Sequence, residues 1–116
     1  MSDGELAWTT EDKPLRSATV NRGALRGSVH PTQKPVAVIE FSNDYLKVPQ
    51  KGAVLDLFSG SGTIAIACEN KDQRALMMEM DAGYCDVIIK RWQEFTGKQA
   101  IHEETGKPYL AMDNAA

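Results

Sequence analysis

The sequence predicts an α/β chain built on a parallel βαβ core, and three observations carry that prediction. Two short apolar runs, at residues 53–58 and 74–80, have strand length and end on polar or acidic residues. A serine–glycine turn, Ser59-Gly60-Ser61-Gly62, closes the first run. An apolar stripe at helical spacing follows the second. Strands alternating with helices pair in parallel, because each helix carries the chain back across the sheet.

In chain order, residues 1–30 show neither helical nor strand period and read as a polar lead-in, with Trp8 as a local apolar anchor. "HPTQKP" (30–35) brackets its polar residues with prolines, which makes an extended, rigid loop. Pro35 suits the first turn of a helix, and Val36, Ile39, Glu40, Tyr45 and Leu46 fit one amphipathic helix over about 35–46. "KVPQKG" (47–52) is a loop. Residues 53–58 form a buried strand with Asp56 inside it, and "GTIAIACEN" (62–70) is a short Ala- and Ile-rich helix. "NKDQ" turns the chain into the second strand, 74–80. Asp81 is an N-cap, and Thr96-Gly97 ends the helix that follows. On that helix Tyr84, Val87, Ile88, Trp92 and Phe95 form a core stripe. The tail, 98–116, reads as a weak strand or hairpin turning at Glu104-Thr105-Gly106, with loose final residues.

Composition bounds the function. At 116 residues the chain is one domain, and 42% apolar with 25% charged residues is ordinary for a soluble protein. It has no apolar run of membrane-spanning length and no signal-peptide profile at its start, so a cytoplasmic protein without a membrane partner is expected. Cys68 and Cys85 stand apart from any Cys/His cluster, which points to buried free thiols and no metal site. The net charge of −3 argues against a strongly basic nucleic-acid binder. Its distribution is uneven, however. Residues 13–39 carry Lys13, Arg16, Arg22, Arg26 and Lys34 with no acid, whereas residues 1–12 carry four acids and no base. Such a segment either meets a phosphate backbone or is a solvated loop.

The chemistry concentrates at the glycine turn. Gly60-Ser61-Gly62-Thr63-Ile64-Ala65 fits G-x-G-x-x-G/A between strand and helix, and Glu79 lies 19 residues past Gly60 at the end of the next strand. That is the layout of a Rossmann-type nucleotide site. The first glycine makes the tight turn, the second lets a ligand reach the main chain, Ala65 lets helix pack on strand, and the acid accepts from ribose hydroxyls. Asp56, four residues before Gly60, selects among nucleotides. A carboxylate there repels a pyrophosphate but attracts the ammonium and sulfonium of S-adenosylmethionine. The alternative role for Asp56 is a carboxylate that anchors the loop.

"HPTQKP", "LDLFSGSGT" (55–63), "MEMD" (78–81) and "YCDVIIKRWQEFTGK" (84–98) together resemble the C-terminal, S-adenosylmethionine-binding half of amino-group DNA methyltransferases, which make N6-methyladenine or N4-methylcytosine in bacterial and phage DNA. The resemblance covers roughly residues 29–97, with looser support from "ELAWTT" near the start. It implies a partial Rossmann-like fold of the S-adenosylmethionine-dependent methyltransferases: a lead-in at 1–29 that contacts DNA, a cofactor domain at 30–97, and the tail at 98–116. It implies that Asp56, Phe58, Gly60 and Gly62 form the cofactor turn, that Glu79 binds the ribose, and that Met80 lies against the adenine. Thr32 and Lys34 would meet the methionine end, Lys34 facing its carboxylate, while His30 would be structural. Arg16, Arg22 and Arg26 fall where the family's DNA-reading segment lies.

The same resemblance exposes a gap. The family's catalytic motif, Asp or Asn followed by Pro-Pro and an aromatic, orients the target amino group and stacks on a flipped base. These 116 residues do not contain it, and "KPYL" (107–110) is no substitute. Two readings follow: the cofactor-binding part of a DNA methyltransferase, completed by an upstream catalytic segment or a second copy, or a free-standing cofactor-binding or interaction module without catalysis. A dinucleotide-binding module is disfavoured by Asp56. The first strand is expected to leave an open edge, covered by the tail or by another chain.

Overall fold

A computed structural model describes residues 7–20 and 33–110. Its elements follow in the order α1 (Val36–Tyr45), β1 (Ala53–Asp56), α2 (Thr63–Asn70), β2 (Arg74–Met77) and α3 (Ala82–Thr96). β1 and β2 pair in parallel, with Ala53 opposite Arg74 and Leu55 opposite Leu76. The parallel βαβ core is therefore as expected.

Both strands stop earlier than their apolar runs. Asp56 Oδ1 accepts from the Phe58 amide (3.0 Å), and that local bond bends the chain out of the strand. Two further bonds, Met78 N–H to Asp56 O (2.9 Å) and Ser59 N–H to Met78 O (3.1 Å), still tie the strand ends together.

The core sits in α2. Every residue from Thr63 to Cys68 is buried, as expected of a helix apolar on all sides. It packs against α1, β2 and α3. A polar network stitches this centre: buried Asn43 on α1 donates to Gln73 Oε1 (2.9 Å), and Gln73 Nε2 donates to Val48 O (2.9 Å). Pro35 is the N-cap of α1 rather than part of its first turn.

α3 begins and ends as its sequence requires. Asp81 Oδ1 accepts from the Tyr84 amide (3.0 Å), and Gly97 closes the helix in the left-handed conformation, φ +69°. Its stripe is a partial correction. Ile88 is buried, Tyr84, Val87 and Trp92 are half-buried, and Phe95 is exposed. Among the elements, α2 is the main neighbour of α3, so full cover reaches only the middle of the stripe. Trp92 marks that seam by donating to Glu69 Oε1 on α2 (2.9 Å).

Two further expectations change. Trp8 is no anchor, because it is almost fully exposed. The lead-in attaches instead through Lys13, which donates to Tyr45 O (3.1 Å), and through Tyr45 Oη, which donates to Pro14 O (2.6 Å). Of the two free thiols, Cys68 is buried and Cys85 only half-buried. Burial pushes the Cys68 thiol above its ordinary pKa.

The tail forms the expected hairpin, with an Ile101–Pro108 antiparallel bridge and Gly106 at φ +65°. Tyr109 Oη docks it on α3 by donating to Asp86 Oδ1 (2.8 Å). Its described residues, 98–110, do not pair with β1. Among the described residues β2 is the sole partner of β1, and one face of the pair exposes Leu55, Leu57, Leu76 and Met78. No helix among the described residues is long and apolar enough to cross a membrane.

Candidate functional site

At the carboxyl ends of β1 and β2 the chain opens into a cleft of about 610 Å³. Ligand sites in open parallel sheets form at this end, where strands release their loops. Asp56, Phe58, Gly60, Glu79 and Met80 all line the cleft, and Lys34 reaches it from the segment before α1. Six of the eight residues singled out for a cofactor thus meet at one place, although they come from three separate stretches of sequence.

The turn is built by short bonds. Ser59 Oγ donates to Asp56 O (3.2 Å) and Gly62 N–H to Ser59 O (2.8 Å). Gly60 takes φ +52°, a region that side chains disfavour. Its amide donates to Glu79 Oε2 (2.7 Å), while the Asp81 amide donates to Glu79 Oε1 (2.9 Å). The bonds from the Asp81 and Gly60 amides hold the Glu79 carboxyl below its ordinary pKa. Glu79 therefore braces the turn with the same carboxylate that faces the cleft. Asp56 anchors the loop through the Phe58 amide, the alternative role weighed for it, and also lines the cleft.

Gly62 departs from expectation. It does not line the cleft; a Cβ placed on it would meet Ile88 Cγ1 at 2.8 Å and Cγ2 at 2.9 Å. With φ +76° as well, its glycine is required by the approach of α3. Thr32, Arg22 and Arg26 lie outside the described residues, as does His30. Arg16 is exposed and does not line the cleft. Lys13 of the same basic stretch is committed to Tyr45, through its carbonyl and its ring (5.5 Å).

Sequence reasoning missed Thr63. Its buried hydroxyl donates to Lys34 O (3.1 Å) and ties the segment before α1 to the first residue of α2. The available signal was a hydroxyl directly after the second glycine, but its partner is 29 residues away. A second cleft, of about 350 Å³, lies between α2, β2 and α3 and is lined largely by apolar residues such as Ala65, Ile88 and Trp92. Its one carboxylate, Glu69, is already held by Trp92 and Lys98. Among the described residues no group of His, Cys, Asp and Glu could hold a metal ion.

Comparison with known proteins gives the family and the fold. A family model described as DNA methylase matches residues 6–91. The type II methyltransferase M.ScaI of Streptomyces caespitosus is 36% identical over 78 residues, covering 62% of this chain and 25% of that protein. The crystal structure of the M1.HpyAVI–SAM complex superposes with a TM-score of 0.60 at 30% identity, covering 73% of this chain and 42% of that one. The chain thus spans a quarter of the length of the curated relative and less than half of the solved one.

Proposed function

Because this chain belongs to the DNA methylase family, we propose that it is the S-adenosylmethionine-binding part of an enzyme that methylates an exocyclic amino group of adenine or cytosine in DNA. The observation that carries the reading is the cleft itself, with Asp56, Glu79 and Lys34 around the glycine turn. This charge pattern fits the ligand. Lys34 suits the methionine carboxylate, Asp56 its ammonium, and Glu79 the ribose hydroxyls. Phe58 and Met80, both exposed beside the cleft, offer apolar surface to the adenine. Thr32 joins Lys34 at the methionine end, and Gly60 keeps the turn tight. Gly62 serves packing rather than contact.

When bound, the cofactor supplies an electrophilic methyl group on its sulfonium. This chain's residues bind and orient that cofactor, but the 116 residues hold no Pro-Pro-aromatic motif to orient a target base. The division of labour is then a lead-in over 1–29 that meets DNA phosphates through Arg16, Arg22 and Arg26, a cofactor domain over 30–97, and a tail over 98–116 whose described part, 98–110, docks on α3. An upstream catalytic segment completes the enzyme.

Titration calorimetry tests this reading. S-adenosylmethionine or its demethylated product should bind, with NAD binding far more weakly, and Asp56→Ala should weaken the interaction. Tight NAD binding with no response to the methionine nucleoside would overturn the proposal. Labelled methyl transfer to DNA by the purified chain alone would show that the catalytic group lies within these residues.

A further inference from the structure

We infer that Arg91 is a positioning residue for the glycine turn, holding the peptide between Ser61 and Gly62 in the orientation that shapes the cleft. This inference deepens the cofactor reading and rests on it for its consequence in binding. Arg91 lies on α3, within the 84–98 stretch that carries the resemblance but outside the glycine-turn fingerprint, and does not line the cleft. It acts through a main-chain group: its Nη1 donates to the carbonyl of Ser61, which lies 30 residues away.

The other end of the same peptide is also held, because the Gly62 amide donates to Ser59 O at 2.8 Å. A peptide fixed at both its carbonyl and its amide cannot rotate. Such a brace matters here because Gly62, at φ +76°, lacks the Cβ that would restrict its backbone. Ser61 is buried and lines the cleft, so rotation of this peptide would remodel the wall that faces the ligand.

The setting of Arg91 supports a dedicated role. Desolvation lowers its pKa from the ordinary value, and among the described residues no ion pair involves it. A guanidinium partly withdrawn from water without a carboxylate partner carries a cost unless its donors find other acceptors. Here the acceptor is the turn. A charge-assisted bond to a carbonyl is stronger than a neutral one, and the guanidinium fork fixes direction better than an ammonium does.

The test compares the full chain with Arg91→Met and Arg91→Lys. Hydrogen exchange read by mass spectrometry on ligand-free protein should show residues 57–64 exchanging about tenfold faster in Arg91→Met, the factor expected on losing one charge-assisted bond. Residues 72–78, in the β1–β2 ladder, should exchange as in the wild type. Affinity for S-adenosylmethionine should fall by about the same factor, and Arg91→Lys should recover part of both changes. The inference is overturned by wild-type exchange and affinity in Arg91→Met. It is equally overturned if both segments accelerate together with no recovery by lysine, which would mark Arg91 as a general packing residue. Should Arg91→Met fail to fold, Arg91→Lys decides alone: partly faster exchange at 57–64 supports the inference, and wild-type exchange there overturns it. Absence of binding by the wild type would remove the cofactor reading, while exchange at 57–64 would still decide whether Arg91 holds the turn.

Discussion

The glycine turn and the outer face of the sheet lie at opposite extremes of completeness, although β1 belongs to both. At the turn, Ser59, Ser61, Gly62 and Thr63 are buried, and donors from the turn itself, α2 and α3 meet acceptors within this chain. On the outer face, Leu55 is 63% exposed and Met78 60% exposed, and the far edge of β1 has no strand beside it among the described residues. The difference teaches where each requirement is met. Hydrogen bonds of a turn can be closed by side chains a few ångströms away, whereas an apolar sheet face needs a whole layer of structure to cover it.

The largest effect should come from breaking the complete side. Gly62→Val meets both a left-handed backbone and the Ile88 side chain, and should cost about 4 kcal/mol, enough to unfold a small domain in a denaturant titration. Near-native stability would mean that α3 can move away from the turn at little cost.

Next in size is the fate of the uncovered face. Unpaired apolar edges recruit other strands, and β1 carries no proline or lysine to block pairing. Light scattering should show self-association rising with concentration, relieved by Leu55→Lys or by co-expression with an upstream segment supplying strands. A compact monomer at high concentration, with slow amide exchange along 54–58, would show instead that the domain is finished. That outcome would favour a free-standing module.

Asn43→Ala sharpens the comparison within the covered side. It leaves the Gln73 carbonyl without its 2.9 Å donor and should cost about 2 kcal/mol in thermal unfolding, with no effect on cofactor affinity beyond that loss of stability. Thr63→Val should behave in the opposite manner. Losing the bond to Lys34 O should cost only about 1 kcal/mol of stability while weakening S-adenosylmethionine binding several-fold. Equal effects of the two substitutions on binding would sink the distinction.

The smallest effect is one of pH. Glu79 has a folded-state pKa below its ordinary value of 4.5, so its contribution is complete above that value and is lost as pH falls through the folded pKa. The melting temperatures of wild type and Glu79→Gln should therefore differ at neutral pH and converge in acid. A gap that stays constant down to pH ~3 would mean that the carboxylate charge does not hold the turn.

Much of this was legible because its causes are local. Asp81 caps α3 with an amide three residues away, and Gly97 ends it by its own backbone freedom. Asp56 and Glu79 could be placed relative to Gly60 because strand and helix each have a fixed rise per residue. What escaped depends on which surface comes to lie against which. Asn43 carries no local signal of burial, yet it is buried, with Gln73 arriving opposite it from just before β2.

Sequence alone thus determined the element types, the parallel core and six of the residues that meet at the cleft, since periodicity, capping and turn chemistry are written within a few residues of where they act. Tertiary structure decided the rest. It made Gly62 a packing glycine under Ile88, put Thr63 and Arg91 onto carbonyls about 30 residues distant, and left Phe95 and Trp8 in solvent. Each of those outcomes depends on the approach of segments far apart in the chain, and spacing along the sequence carries no measure of that distance.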